Sequence, residues 1–454
     1  MPVTRLNFAD RDALLATARE LGVEIPYADD PGILLEPITI GRRRLHNRIV
    51  IQPMEGCDAD ADGAPTDLTL RRYRRYGAGG SGLIFFEATA VVAEGCSNRR
   101  QVRISSANVG AFARLVEQTR VAASEQFGEG RTVLLILQLT HAGRYAKPEG
   151  APRPVIAQHN PLLGGPMGLP ADYPLISDDE LDRLQDSFIE AARCAAAAGF
   201  DGVDVKACHG YLVSELLASF TRTGSRYGGS FANRTRFLRQ VIARIGDEEP
   251  SLLVTSRLSA YDGLPHPFGF GGSAAEGPDE NLDEPIALAR QLRDLNVPML
   301  NMSIGNPYYD SHYGRPYNKP VIGGERPVEH PLVAVARLLR IAGALQRAVP
   351  DVPVVGTGYS WLQQHIPHVG AAIVQSGKAS LIGLGRAAFA YPDAAADLMK
   401  CGRLDPHKVC IACSCCSQLM RDGGCAGCVV RDGEVYATEY RRARRQAKRD
   451  AGRA

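Results

Sequence analysis

Cys410, Cys413, Cys416 and Cys428 have types and spacing that can do chemistry. The chain has 11 cysteines, and seven of them lie between Cys401 and Cys428. Cys410-x-x-Cys413-x-x-Cys416, closed by a distant Cys428, is a four-thiolate set with metal-ligand spacing. Three near sulfurs can reach one centre from a single turn of backbone, and the fourth completes the cage. Cys415 and Cys425 are spare thiols or alternative ligands. From spacing alone both a structural zinc knuckle and an iron-sulfur cluster stay open. Disulfides fit less well, because nothing else in the chain points to export.

A second set of polar residues follows short apolar runs. Gln138 and His141 come after one, and Lys206, His209 and Tyr211 after the next. Arg257 ends a third run. Gly356-Thr357-Gly358 and Gly385-Arg386 end the last two. The runs that must position them are eight: Arg48–Pro53, Gly82–Val92, Val133–Leu139, Gly202–Lys206, Leu252–Leu258, Met299–Ile304, Val352–Gly356 and Ala379–Leu384. Helical patterns separate them, clearest over Asp178–Gly199 and Pro285–Leu295. Eight alternations of strand and helix predict an α/β chain folded as a closed (β/α)8 TIM barrel. A doubly wound sheet would carry a Gly-x-Gly-x-x-Gly turn after its first strand, and none is there. The loops Gly263–Glu284 and Gly305–Glu325 then fall at strand C-terminal ends, where a barrel builds its site. Glycines ending the last two strands let backbone N–H groups approach a phosphate, and Arg386 adds charge.

The expected organisation is an N-terminal helical extension (1–32), the barrel (33–400), a cysteine-rich segment (401–433) and a basic tail (434–454). A net charge of +2 argues against a dedicated nucleic-acid binder. The N-terminal residues lack the apolar core of a signal peptide, and no uninterrupted apolar run is long enough to span a membrane. Clustered thiols without a signal predict a cytoplasmic location.

The same residues carry a resemblance. Asn47-Arg48, Pro53-Met54, Gln138, His141-Ala142-Gly143-Arg144 and Ala198 to Val203 resemble the old yellow enzyme family of FMN-dependent ene-reductases. The likeness continues through His209-Gly210-Tyr211-Leu212, Arg226 to Ser230, Asn233-Arg234, Arg257-Leu258-Ser259 and Gly383 to Arg386. It covers roughly residues 33–400. The cysteine segment resembles that of the multidomain branch, 2,4-dienoyl-CoA reductase and trimethylamine dehydrogenase, where it holds a [4Fe-4S] cluster. This resemblance implies FMN and a [4Fe-4S] cluster on Cys410, Cys413, Cys416 and Cys428, with NAD(P)H as a candidate donor. The gap from Cys413 to Cys416 is one residue shorter than in that branch, so Cys415 is the rival ligand.

Carried over by position, the resemblance places Gln138 at the flavin pyrimidine edge and Arg257 beside N1 and the C2 carbonyl. Pro53, Met54 and Ala88 line the ring, Glu55 stands near O4, and Gly356, Thr357, Gly358, Gly385 and Arg386 hold the phosphate. Tyr211 falls where the family's proton donor lies, opposite a hydride from flavin N5. The family's substrate-gripping pair is here Lys206 and His209. An ammonium is a point charge that suits an anionic or carbonyl oxygen, so the expected substrate is a small molecule with an α,β-unsaturated carbonyl or carboxylate. Where the dienoyl reductases place a catalytic His, this chain has Asn306-Pro307-Tyr308-Tyr309, with Tyr308, Tyr309 and His312 as candidate replacements. The multidomain relatives continue into nucleotide-binding domains, whereas 434–454 is too short for one, so an external electron-transfer protein is the expected partner. Self-association is also expected, as is common among barrels of this family. Two rival readings follow from the same residues. One is an oxidative dehydrogenase or demethylase passing electrons out through the cluster; the other is an NAD(P)H-dependent ene-reductase with a structural zinc site.

Overall fold

Eight parallel strands close on one another in sequence order. They are β1 Ile49–Ile51, β2 Leu83–Ala90, β3 Leu134–Thr140, β4 Gly202–Ala207, β5 Leu253–Ser259, β6 Leu300–Ser303, β7 Val354–Gly356 and β8 Leu381–Leu384. Each falls inside or within one residue of its predicted run, and β8 pairs back onto β1 through Ile382 and Ile49. The fold is the (β/α)8 barrel. The computed structural model describes residues 6–273 and 279–451; the predicted loop Gly263–Glu284 lies partly outside them.

Because side chains alternate across a strand, one parity lines the barrel and the other meets the helices. The inward set is apolar at the bottom: Val50, Leu83, Phe85, Leu134, Ile136, Leu253, Met299, Val355 and Leu381 form one buried cluster. An antiparallel hairpin, Ile38–Ile40 with Arg43–Leu45, closes the end beneath by packing Ile40 and Leu45 into that cluster. Two residues higher the same parity turns polar. Gln52 and Asn301 exchange amide hydrogen bonds at 2.9 and 2.8 Å. Gln138 donates to Asp204 at 2.7 Å, and Thr255 to the other Asp204 oxygen at 2.8 Å. At the C-terminal ends the parity reaches Lys206 and Arg257. The polar mouth is thus written into strand alternation.

The outward set (Ile84, Leu135, Leu137, Val203, Val205, Val254 and others) packs on the surrounding helices in one continuous core. The helices start where their sequences cap. Asp10 accepts from the Ala13 N–H at the head of α1 Arg11–Glu20. Ser177 and Glu180 form a reciprocal capping box on the helix Asp178–Ala197.

Beyond the barrel, α2 Cys415–Arg421 and α3 Gly433–Ala451 pack together around Leu419, Tyr436 and Ala443. The basic tail is therefore not a separate unit: its apolar face covers the cysteine segment, against Leu68 of the barrel as well. Arg71 holds Asp432 with two bonds of 2.8 and 2.9 Å, and Arg75 adds a third. The Ala426 N–H donates to the Gly56 carbonyl at 2.6 Å. Gly427 must lack a side chain, since a Cβ would meet the Tyr436 ring at 2.1 Å. Gly56 is similarly confined, with the Arg72 guanidinium 2.3 Å from where a Cβ would sit.

Arg72 lies in a buried ion network beneath that contact. It pairs with Asp58 at 2.5 Å and with Glu87 at 2.5 Å, and the second Glu87 oxygen accepts the Gly56 N–H at 2.7 Å. Burial, with Asp58 close by, pushes the Glu87 carboxyl up to about 7. Removing one partner of such a group leaves uncompensated buried charge. Arg72→Met should therefore lower the unfolding free energy by about 3–5 kcal/mol in denaturant titration at neutral pH. An unchanged midpoint would contradict the role given to the network. The folded Glu87 holds its proton to higher pH than an unfolded glutamate, whose value is about 4.3. Its contribution is whole below that value and is lost as pH rises towards about 7. Stability measured between pH 4.5 and 7 should fall more shallowly in Glu87→Gln than in the parent.

Candidate active site

Arg257 ends its strand with a buried guanidinium whose Nε has no protein partner among the described residues. Burial lowers its pKa, which measures the cost of holding that charge without a counter-ligand. A planar, electron-rich ring edge supplies what is missing. Gln138 and Asp204 stand beside it on the same layer. Pro53 and Ala88 are buried next to the mouth and Met54 is partly so; the Ala88 carbonyl is held by Gln101 at 2.7 Å.

Gly356, Thr357 and Gly358 leave β7 and Gly385 leaves β8, so the two turns sit side by side through the β7–β8 pairing. Arg386 is buried and donates to the Pro316 carbonyl at 2.5 Å, while its Nη1 has no partner among the described residues. Arg315, in the loop after β6, faces it. Burial and the neighbouring Arg386 charge lower Arg315 to about 10, and its Nε is also unpartnered. Two guanidiniums held together against their repulsion, each with a spare donor, are suited to a phosphate. Arg315 stands in no motif and sequence reasoning missed it. His312 is buried at this end, edge-on to Tyr317 and 3.7 Å from Glu329. It lies apart from the contacts that Tyr211 makes with Glu55, Lys206 and Tyr308.

Tyr211, Lys206 and Glu55 do converge. The Tyr211 hydroxyl donates to Glu55 Oε1 at 3.1 Å, and Lys206 Nζ lies 3.5 Å from the same oxygen. The ammonium also sits over the Tyr211 ring, 3.6 Å from its centroid. Ser97 donates to the other Glu55 oxygen at 3.0 Å. Burial and the Glu55 charge raise the Tyr211 phenol well above its ordinary value. Tyr308 closes one side, tilted to Tyr211 and stacked on Tyr145 at 3.5 Å. Glu55 therefore turns to the tyrosine and lysine, where the resemblance put it near the flavin. His209 points elsewhere: its Nε2 is 2.9 Å from Ser303 Oγ, with backbone in the left-handed region at φ 66. Burial, with Arg257 and Lys206 nearby, holds it well below the ordinary imidazole value, hence neutral. Ser97 carried no sequence signal beyond lying after the second strand.

Cys410, Cys413, Cys415, Cys416 and Cys428 line one cavity, with Arg386 and Arg431 on its wall. Ala412 and Ser414, at φ 50 and 59, wind the first four cysteines around it. The Ala412 N–H donates to Cys410 Sγ at 3.4 Å and the Arg431 N–H to Cys428 Sγ at 3.3 Å, as backbone amides do to metal-bound thiolates. Among the described residues no three His, Cys, Asp or Glu side chains converge on one point as a single ion requires. Cys425 is set apart, accepting from Arg100 Nη1 at 3.3 Å. Cys415 and Cys416 both line the cavity. Arg386 belongs to both the phosphate end and the cysteine wall, so the two sites adjoin.

Comparison with known proteins agrees with this arrangement. Residues 33–270 match the family model described as NADH:flavin oxidoreductase / NADH oxidase family. The chain is 30% identical to an NADPH dehydrogenase of Bacillus subtilis over 277 residues, covering 60% of this chain and 73% of that protein. It is 27% identical over 390 residues to a metal reductase of Desulforamulus reducens and to an NADH oxidase of Thermoanaerobacter brockii. It spans 51% and 52% of those two proteins, about half their length. Two solved structures share the fold. One is a 2-naphthoyl-CoA reductase complex, with TM-score 0.71 and 20% identity over 88% of this chain and 57% of that one. The other is an old yellow enzyme homologue from Zymomonas mobilis, with TM-score 0.60 and 24% identity over 82% and 94%. Among the described residues no helix is long and apolar enough to cross a membrane. By its matching family model and its relatives, the chain belongs to the NADH:flavin oxidoreductase / NADH oxidase family, the old yellow enzyme type of FMN-dependent NAD(P)H oxidoreductase.

Proposed function

We propose that this enzyme reduces an activated C=C bond, an α,β-unsaturated carbonyl or carboxylate, and that a [4Fe-4S] cluster on its cysteine segment relays electrons. The observation that carries the reading is the meeting of the Tyr211 hydroxyl, the Lys206 ammonium and the Glu55 carboxylate at the mouth that Arg257 enters. Bound FMN supplies a hydride to the β-carbon. Gln138 and Arg257 orient the cofactor's ring edge, and Arg257 stabilises negative charge there. Lys206 offers its remaining N–H donors to the substrate oxygen, which polarises the alkene. Tyr211 then protonates the α-carbon. Its raised pKa keeps the phenol protonated until carbanion character develops. Tyr308 and Tyr145 provide a flat apolar wall for a conjugated substrate.

The cluster, when bound, would pass single electrons. Cys410, Cys413, Cys428 and either Cys415 or Cys416 are the ligands we assign, with Arg386 and Arg431 offsetting its negative charge. The cavity opens partly to solvent beside α3, whose Arg441, Arg445, Lys448 and Arg449 are exposed or nearly so. That surface suits an acidic external electron carrier.

The testing experiment is a visible spectrum of anaerobically purified protein with iron, acid-labile sulfide and zinc assays. About four irons and four sulfides per chain beside one flavin are expected; one zinc and no sulfide would remove the relay. Cys428→Ser should lose the iron and keep the flavin. Lys206→Met should raise KM for an unsaturated carboxylate by at least about tenfold, with a smaller effect on an unsaturated ketone. Steady-state kinetics on both substrates check it, and equal effects would argue against recognition of an anion.

A further inference from the structure

Glu55 and Ser97 stand behind Tyr211 without any assigned part in the chemistry. We infer that they form the route by which Tyr211 regains its proton after each turnover. The inference rests on the proton-donor role proposed above for Tyr211.

Each link has hydrogen-bond geometry. Tyr211 Oη to Glu55 Oε1 is 3.1 Å, and Glu55 Oε2 to Ser97 Oγ is 3.0 Å. Ser97 is half-buried, its hydroxyl fixed by the Asn98 amide at 3.1 Å and its backbone N–H by Gln101 at 2.6 Å. Glu55 is thus bonded on one oxygen to the buried phenol and on the other to the hydroxyl of half-buried Ser97. The titratable groups facing it are Lys206 and Tyr211, with Tyr308 on the far side and Cys57 and Cys96 behind.

The proton balance is as follows. As the substrate α-carbon gains its C–H bond, the Tyr211 O–H bond breaks and a phenolate is left beside the Glu55 carboxylate. Two adjacent anions in a buried site favour uptake of one proton between them. Bulk solvent gives a proton to Ser97, whose own hydroxyl proton passes to Glu55 Oε2; rotation of the carboxyl group brings the new O–H to the Tyr211 oxygen, to which the proton is transferred. Carboxylate and hydroxyl end as they began, and no electron moves in these steps. Lys206 holds Glu55 in register from the other side, at 3.5 Å, so the relay and the substrate oxygen share one cation.

The test uses FMN-loaded enzyme and cyclohexenone. Pre-reduced Glu55→Gln should complete its first turnover within about threefold of the parent rate, since Tyr211 starts protonated, and then slow by about 10²-fold in steady state. Added formate or acetate should restore part of the steady-state rate, Glu55→Asp should restore most of it, and Ser97→Ala should show the same split between first and later turnovers. Steady-state turnover of Glu55→Gln at the parent rate overturns the relay. So does a first turnover as slow as the later ones with no rescue by small acids, or loss of flavin from the Gln variant, which would assign Glu55 to holding the cofactor. Parent-like turnover by Tyr211→Phe would instead remove the proton-donor reading itself, a result separable from all of these.

Discussion

The peptide of Gly56 is the point on which the rest of this structure depends. Its N–H is spent on Glu87, within the buried network of Arg72 and Asp58, and its carbonyl on Ala426 of the cysteine segment. The residue before it, Glu55, holds the active-site tyrosine and lysine. The two peptide planes that flank the Gly56 Cα are therefore fixed, one by Glu87 and the other by Ala426, both buried. Unpaired polar groups are costly in such a place, so the loop after β1 has little freedom to drift. The barrel, the site and the thiol segment are consequently one mechanical unit, not a domain with an appendage.

Charge inside the barrel is stratified. Apolar side chains fill the lower layers, neutral amides and a hydrogen-bonded carboxylate the middle, and two cations the mouth. Neither Arg257 nor the Arg315–Arg386 pair is fully satisfied by protein partners. Proteins keep unpaired buried guanidiniums only where something else completes them. Arg386 stands both beside Arg315 and on the wall of the cysteine cavity, so its charge acts on both places.

The barrel was legible because its signal is periodic. Eight apolar runs at strand length, with polar residues and glycines at their C-terminal ends, left little room for another topology, and the helix over Asp178–Ala197 showed in the apolar spacing of Leu181, Leu184 and Phe188. Cysteine spacing likewise marked the cavity. Contacts made by unpatterned loop residues were not legible. Arg315 and Ser97 come from loops whose course is set by tertiary packing, and the groups that bring them to the site, Arg386 and Glu55, lie far away in sequence. Glu55 could be placed near the flavin by position, yet the direction of its side chain depends on Ser97, Tyr211 and Lys206, which no local pattern joins. The same holds for the tail: its basic residues were plain, but the apolar stripe that seats it on Leu419 only acquires meaning once α2 exists.

The hairpin formed by Ile38–Ile40 and Arg43–Leu45 seals the barrel floor. With that end shut by Ile40 and Leu45, traffic to the flavin face passes through the opposite rim alone. Any molecule that meets the flavin face must then enter and leave by that one doorway. Two molecules that need the face exclude each other there, so a short hairpin far from the chemistry limits the site to one occupant at a time.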